Sequence, residues 1–399
     1  LKNQTLYTRK HFVEVLDRLN EKRNKIQVIA GPRQVGKTTL IDQVLAKVTI
    51  PYTLSKADGV NPKDFGWIHR TWDSVRGLMK IRHEETHLLV IDEIQKIDQW
   101  SEGVKAEWDW DTHNGLDIKL VLLGSSRLML QSGLKESLAG RFELIRMGHW
   151  SFKEMSEAFG LSPDEYIYFG GYPGSAGFIN DEKRWKRYIK DSIAAPAIEK
   201  DIMQTSNIYK PALMKQLFEL GCRYSSEELS LTKVAGQLQD EGNVTTLASY
   251  LDLLDQCQLI SGLQKYANDD ARKYNSIPKF QVYNNALMSA FQRKSFAAAR
   301  TDAKLWGRWI ESAVGADLLS QAEEEDLRVF YWRDRDDEVD YIVQSDDSCI
   351  ALEVKSGRRT MNNGLPQFTK RFRPQHSYII GTGGISLEAF LMGSITDLL

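Results

Sequence analysis

Apolar and polar positions run through this chain in two rhythms, and the places where one gives way to the other mark its organisation. Phe12, Val15, Leu16 and Leu19 recur at helical spacing, which predicts an amphipathic entry helix over residues 11–19, packed on a sheet edge. Residues 26–30 are short and β-branched, as a buried parallel strand requires, and Leu40, Ile41, Val44 and Leu45 then return to the helical rhythm. Further strands are predicted at 52–54, 88–92, 119–124 and 143–147, with a helix over 74–82 and a short one over 127–131. Strands alternating with helices predict an α/β domain with a parallel sheet over residues 1–150.

The rhythm changes after Trp150. Gly170, Gly171, Pro173 and Gly174 punctuate the chain, and Trp185, Tyr188, Ile189, Ile193 and Ile198 follow at helical spacing, so residues 151–205 read as a linker and helical connector. Helices over 213–220, 231–238 and 246–255, then strands at 258–263 and 279–283 flanking a basic loop with Arg272 and Lys273, predict a winged-helix-like region over 206–285. The last of those helices carries Asp252 and Asp255 and no lysine or arginine, which would repel phosphates and favours a structural or protein-contact role over DNA reading. Residues 286–399 open with a helix over 306–319. Two strands follow, 338–343 and 350–355, joined by a polar turn through Ser345 and Ser348.

Composition narrows the function classes. With 399 residues, 42% of them hydrophobic, the chain is long enough for two or three globular domains. Charges nearly cancel, 52 Lys and Arg against 54 Asp and Glu, so any nucleic-acid surface must be local. Cys222, Cys257 and Cys349 are far apart and odd in number, which disfavours a disulfide framework or a structural zinc and fits buried thiols. The first twelve residues are polar and basic without an apolar core, and no apolar run reaches membrane-spanning length. The expectation is a cytoplasmic protein with no membrane partner.

The chemistry starts at Gly31, Pro32, Arg33, Gln34, Val35, Gly36, Lys37 and Thr38, followed by Thr39. These residues fill the pattern G-x-x-x-x-G-K-[ST] between the first strand and its helix. The glycines permit a turn whose N–H groups cradle phosphates at a helix N-terminus, Lys37 would reach the β- and γ-phosphates, and the Thr38 hydroxyl would ligate Mg²⁺. The strand at 88–92 ends in Asp92 and Glu93, where Asp92 would hold the Mg²⁺ and Glu93 would deprotonate the attacking water. The strand ending at Gly124 delivers Ser125 and Ser126 to the same edge, either to bond the γ-phosphate or water or to cap the next helix. Gly140 is a hinge before Arg141, which either enters a neighbouring copy's site as a phosphoryl-stabilising arginine or serves structure in its own chain.

A second constellation lies near the C-terminus. Period-two alternation places Glu353 and Lys355 on one strand face, a hairpin brings Asp340 beside them, and Glu311 on the upstream helix completes an acidic cluster. Such carboxylates would hold Mg²⁺ or Mn²⁺ while Lys355 orients a hydrolytic water.

Residues 31–39, 91–95 and 124–126 resemble the AAA-type P-loop ATPases, in the bacterial and archaeal subgroup with GPRxVGKTT loops. The resemblance implies ATP as the nucleotide, Ser126 as a polar sensor where asparagine is common in the wider superfamily, and Arg141 as an arginine finger in a homo-oligomer. Glu311, Asp340, Glu353 and Lys355 resemble the PD-(D/E)XK restriction-nuclease-like core, helix acid, strand aspartate and E-x-K in order. ATPases of this subgroup are commonly followed by a domain of unknown function with Gly-Gly-Tyr-Pro, Glu-Val-Asp and Glu-Val-Lys signatures, matched here at 170–173, 338–340 and 353–355. Two functions follow as expectations: an ATP-driven switch coupled to a metal-dependent nuclease acting on nucleic acid, or an ATP-regulated interaction protein whose C-terminal domain binds a partner without cleaving.

Overall fold

Five parallel strands form the first sheet of the computed structural model, which describes residues 7–124, 137–203, 208–238, 243–267, 276–357 and 364–399. The chain divides into two compact units, Leu1–Met147 and Gly148–Leu399. No helix among the described residues is long and apolar enough to cross a membrane.

In the first unit, helix α1 (His11–Asn20) buries Val15 and Leu19 on the stripe that its sequence spacing marks. The sheet then takes β1 (Ile26–Ala30), β2 (Tyr52–Lys56), β3 (Thr86–Asp92), β4 (Asp117–Gly124) and β5 (Phe142–Arg146) in the order β2-β3-β4-β1-β5. All five residues of β1 are buried, as a strand flanked on both sides and covered on both faces must be. Because every strand runs the same way, the strand ends at Ala30, Asp92 and Gly124 lie along one edge, where open α/β sheets bind ligands. Between the strands lie α2 (Lys37–Leu45), α3 (Gly66–Arg82) and α4 (Trp100–His113). Helix α3 starts at Gly66 rather than at 74, because Ile68 and Trp72 bury on the same face as Val75 and Met79. It is clamped to α4 by Arg76, which pairs with Glu107 at 2.6 Å and Asp111 at 2.7 Å, while the Trp72 indole donates to Asp111 at 2.9 Å. A buried arginine between two carboxylates is stable only while each charge keeps its match.

The second unit holds helices around two smaller sheets. Residues 151–205 are expected as linker and helical connector, and of these 151–203 are described and contribute buried side chains to this unit. They form α5 (Phe152–Phe159), α6 (Pro163–Phe169) and α7 (Glu182–Tyr188), the last prolonged by π-helical turns at Ile189–Ala194 and Ala197–Ile202. Tyr168, Tyr172, Trp185 and Ile193 pack into one apolar cluster, and burying those aromatics outweighs the turn-forming character of the glycines between them. Gly170 and Gly171 serve close approach: a Cβ on Gly170 would stand 2.1 Å from Asn284 Oδ1, and one on Gly171 2.1 Å from the Trp150 carbonyl oxygen.

Next come α8 (Pro211–Arg223), β6 (Glu227–Glu228), α9 (Leu231–Gln237), α10 (Val244–Gln256), β7 (Ile260–Leu263) and β8 (Lys279–Val282), with an antiparallel sheet ordered β6-β8-β7. Arg272 and Lys273 lie outside the described residues. Helices α11 (Asn285–Phe291) and α12 (Phe296–Thr301) lead to α13 (Ala303–Glu325), whose start is capped by the Asp302 side chain. Strands β9 (Arg328–Asp334), β10 (Asp337–Gln344) and β11 (Cys349–Lys355) are antiparallel, and α14 (Gly364–Phe372) crosses over to β12 (His376–Gly381), parallel to β11, before the final helix α15 (Leu387–Met392). Gly315 lets α13 lie close against both sheets, since a Cβ there would stand 2.4 Å from Gln281 on β8 and 2.4 Å from the Tyr341 hydroxyl on β10.

Candidate nucleotide site and C-terminal acid cluster

Between Ala30 and Lys37 the backbone turns sharply enough to leave Gln34 at φ 66° and Gly36 at φ 92°, conformations in which successive N–H groups converge. The turn holds because Val35 is buried beneath it and Pro32 is fixed beside it. Arg9, itself buried, donates to the Val35 carbonyl at 3.3 Å. Lys37 opens α2, and its ammonium donates to the carbonyls of Gly31 at 2.8 Å and Pro32 at 2.7 Å, which keeps a positive charge inside the loop. Arg33 is half-buried, and Gln34 and Thr39 are exposed.

The Thr38 hydroxyl donates to Asp92 Oδ2 at 3.3 Å, so the first helix turn and the end of β3 meet. Burial pushes the Asp92 carboxyl up from its ordinary value, Glu93 adds to the rise, and Thr38, Lys56 and Lys37 oppose it. A buried carboxylate beside a second acid and a threonine hydroxyl is a hard-oxygen set that a divalent cation would relieve. These residues fit Mg²⁺, which takes its remaining ligands from water and phosphate. Glu93 leaves the strand in the left-handed conformation, φ 57°, and Gln95 donates to its Oε2 at 2.6 Å. Ser126 lies outside the described residues.

Arg141 does not join this group. It precedes β5, at the sheet edge opposite the Lys37 loop, and grips Asp109 through two bonds of 2.8 and 2.9 Å. That pairing raises the arginine and lowers the Asp109 carboxyl.

The C-terminal acids sit as neighbours, yet each is engaged differently. Glu311, on α13, pairs with Lys279 at 2.6 Å, and the same ammonium donates to the Asp340 carbonyl at 3.2 Å. The Asp340 carboxylate accepts from the Val354 N–H at 2.7 Å, while Glu353 forms a short pair with Lys355. Among the described residues, no group of three or more His, Cys, Asp or Glu is placed to hold a metal ion. Glu311, expected to complete the acidic cluster with Asp340 and Glu353, is instead paired with a lysine from β8. Burial would lower that lysine, but Glu311, Tyr341 and Asp340 raise it instead. Burial also raises the Glu311 carboxyl, against the pull of Lys279 and with the push of Asp340 and Glu338, as expected where one ammonium faces a surplus of acids. A pocket of about 260 Å³ opens onto the pair, lined by Lys279, Glu311, Tyr331, Arg333, Glu338 and Asp340.

Sequence reading missed Arg9, Gln95 and Lys279. Gln95 stands two residues past Glu93, so spacing offered a signal; Arg9 and Lys279 gave none, since their partners are remote in sequence.

Comparison with known proteins divides the chain in three. Residues 23–156 match the AAA domain family, 161–297 match domain of unknown function DUF8612, and 306–390 match domain of unknown function DUF4143. An uncharacterised protein of Methanocaldococcus jannaschii is 24% identical over 341 residues, 80% of this chain and 72% of that protein. One of Mycobacterium tuberculosis is 24% identical over 337 residues, 84% of this chain and 70% of that protein. Among solved structures, a variant of Thermotoga maritima RuvB aligns over 66% of this chain and 92% of its own, with 15% identity and a TM-score of 0.33, at which nothing further follows from the likeness. The chain thus carries an AAA-type P-loop ATPase domain followed by two domains of unknown function.

Proposed function

We propose that this protein binds and hydrolyses ATP and works as a nucleotide-driven switch for its second unit. The observation that carries the reading is the convergence of Lys37, Thr38 and Asp92 at one sheet edge, with Glu93 held beside them by Gln95. Lys37 and the α2 N-terminus would offset phosphate charge, Thr38 and Asp92 would hold Mg²⁺, and Glu93 would take the proton of the attacking water. Mg²⁺ supplies charge neutralisation on the phosphate oxygens when bound. Lys37→Ala should abolish measurable ATP turnover and weaken nucleotide binding in equilibrium titration, while the melting curve without nucleotide stays cooperative. Wild-type turnover in that variant would sink the assignment.

Arg141 belongs to the same reading as a finger acting in a homo-oligomer, because it cannot reach the nucleotide loop of its own chain. Arg141→Ala should lower turnover with nucleotide affinity nearly intact. Mixed with co-assembling Glu93→Gln protomers it should recover part of the activity, and no recovery would count against action across the subunit boundary.

For the second unit, the order helix, strand, helix, helix and hairpin from α8 to β8 supports a winged-helix-like reading, and the order α13 to β12 supports a restriction-nuclease-like one. Helix α10 buries Leu247, Tyr250, Leu251 and Leu254 and has no basic residue, which favours a protein-contact role over DNA reading. The Lys279 pair with Glu311 favours a C-terminal core that binds a partner over one that cuts nucleic acid. Incubation of labelled DNA and RNA with Mn²⁺ tests this: no cleavage is expected with or without ATP, and cleavage lost in Asp340→Asn would reverse the choice.

A further inference from the structure

We propose that the ammonium of Lys279 is the resident cation of the C-terminal acid cluster, occupying the place of a divalent ion and closing this core to metal. The inference rests on the partner-binding reading and gives its physical cause.

Lys279 leaves β8 and is almost fully buried. Its ammonium lies 2.6 Å from Glu311 Oε1, 3.2 Å from the Asp340 carbonyl oxygen and 4.6 Å from the centre of the Tyr341 ring. A carboxylate and a main-chain carbonyl are the hard oxygens that Mg²⁺ or Mn²⁺ takes, but here a lysine satisfies them. A divalent ion beside these oxygens would face that ammonium at a distance of a few ångströms, where like charges repel. The remaining acids each have a partner of their own through one oxygen. Asp340 turns its carboxylate to the Val354 N–H, and Glu353 is held by Lys355. An ammonium also has no open coordination position on which water could be acidified, so it replaces the charge of a metal without its hydrolytic chemistry.

Two features keep Lys279 in place. Its strand is fixed on both sides by β6 and β7, and Gly315 lets α13 approach closely enough for Glu311 to reach it. The Tyr341 hydroxyl lies 2.9 Å from both Gln281 Oε1 and the Glu311 carbonyl oxygen and shares its one proton between them, which holds β10, β8 and α13 in mutual register around the pair.

The test is a Mn²⁺ titration of the full-length protein carrying Lys37→Ala, without nucleotide, read by the electron paramagnetic resonance of free Mn²⁺ and by the melting temperature. With Lys279 present, no Mn²⁺ binding should depend on Asp340 or Glu311. Lys279→Met should gain a Mn²⁺ site and an upward melting shift, and Glu311→Gln added to it should remove both. The proposal is overturned if the lysine-bearing protein binds Mn²⁺ in a manner lost on Asp340→Asn, or if a cooperatively folded Lys279→Met gains no site. Should Lys279→Met fail to fold, the lysine-bearing titration decides alone, since Asp340-sensitive binding overturns the proposal and its absence supports it. Metal binding without cleavage of labelled nucleic acid defeats this inference only, whereas Asp340-dependent cleavage defeats the partner-binding reading beneath it.

Discussion

Glu93→Gln should leave nucleotide affinity close to wild type and slow hydrolysis by roughly 10²-fold or more, because the amide keeps the shape of the side chain and loses its basicity. The left-handed backbone at Glu93, φ 57°, turns the chain immediately after the last β3 residue, and Gln95 fixes the carboxylate oxygen at 2.6 Å. A glutamine can still accept that bond, so the substitution removes a proton acceptor from an otherwise retained arrangement. Loss of the Glu93 charge also relieves Asp92, whose carboxyl that charge raises, and so should not weaken Mg²⁺–nucleotide binding. Single-turnover hydrolysis beside equilibrium nucleotide titration separates the two quantities. Undiminished turnover would remove Glu93 from the role of base, and a loss of affinity equal to the loss of rate would make it a binding residue instead.

Gly31→Ala should cost both stability and nucleotide binding. Its added Cβ would stand 2.1 Å from the carbonyl oxygen of Met147, a separation that real Cβ atoms do not show, and 3.1 Å from the carbonyl carbon. The obstacle is backbone and cannot rotate away. It is also anchored, because the Met147 N–H donates to the Ala30 carbonyl at 2.8 Å, tying the end of β5 to the residue before the glycine. Either that tie breaks or the loop shifts, and overpacking of this kind costs about 1–3 kcal/mol. Differential scanning calorimetry should show the lower melting temperature, and titration with ATP and Mg²⁺ the weaker binding. Gly36→Ala makes an instructive comparison: nothing lies within 4 Å of the added Cβ, so its effect comes only from the φ of 92° that an alanine resists. An unchanged melting temperature and affinity in Gly31→Ala would show that the β5 end yields more easily than its hydrogen bond implies.

How far the sequence could be read follows from the distance over which each feature is encoded. The nucleotide loop was legible because strand, glycine turn and helix occupy consecutive residues, and the period of apolar positions switches at the turn itself. The C-terminal hairpin was legible for the same reason, its pairing of Tyr341 with Leu352 and Val343 with Ile350 following from alternation and a short polar turn. The environments of the charges were not legible. Arg141 meets Asp109, and Lys279 meets Glu311, each across 32 residues, and in both cases the partner is one of many charged residues with nothing in its local pattern to single it out. The packing of residues 151–203 was hidden for a different reason. Glycine and proline there signal turns correctly, but a turn can be buried when the backbone it exposes is met by side chains such as Asn284, which accepts from the Gly171 N–H at 3.0 Å.

The stacking of Tyr168 on Trp309, with ring centres 6.1 Å apart and planes 12° from parallel, joins residues on either side of the division between the two domains of unknown function. Trp309 also donates to Ser289, and Asn285 donates to the Trp309 carbonyl, so the crossing is lined with hydrogen bonds as well as rings. A boundary drawn by sequence similarity is therefore not a seam in the material. A gene fragment ending between residues 297 and 306 would leave half of an aromatic stack facing water, and a fragment beginning there would leave the other half. Exchanging one domain without the other would have to supply a new mate for each ring.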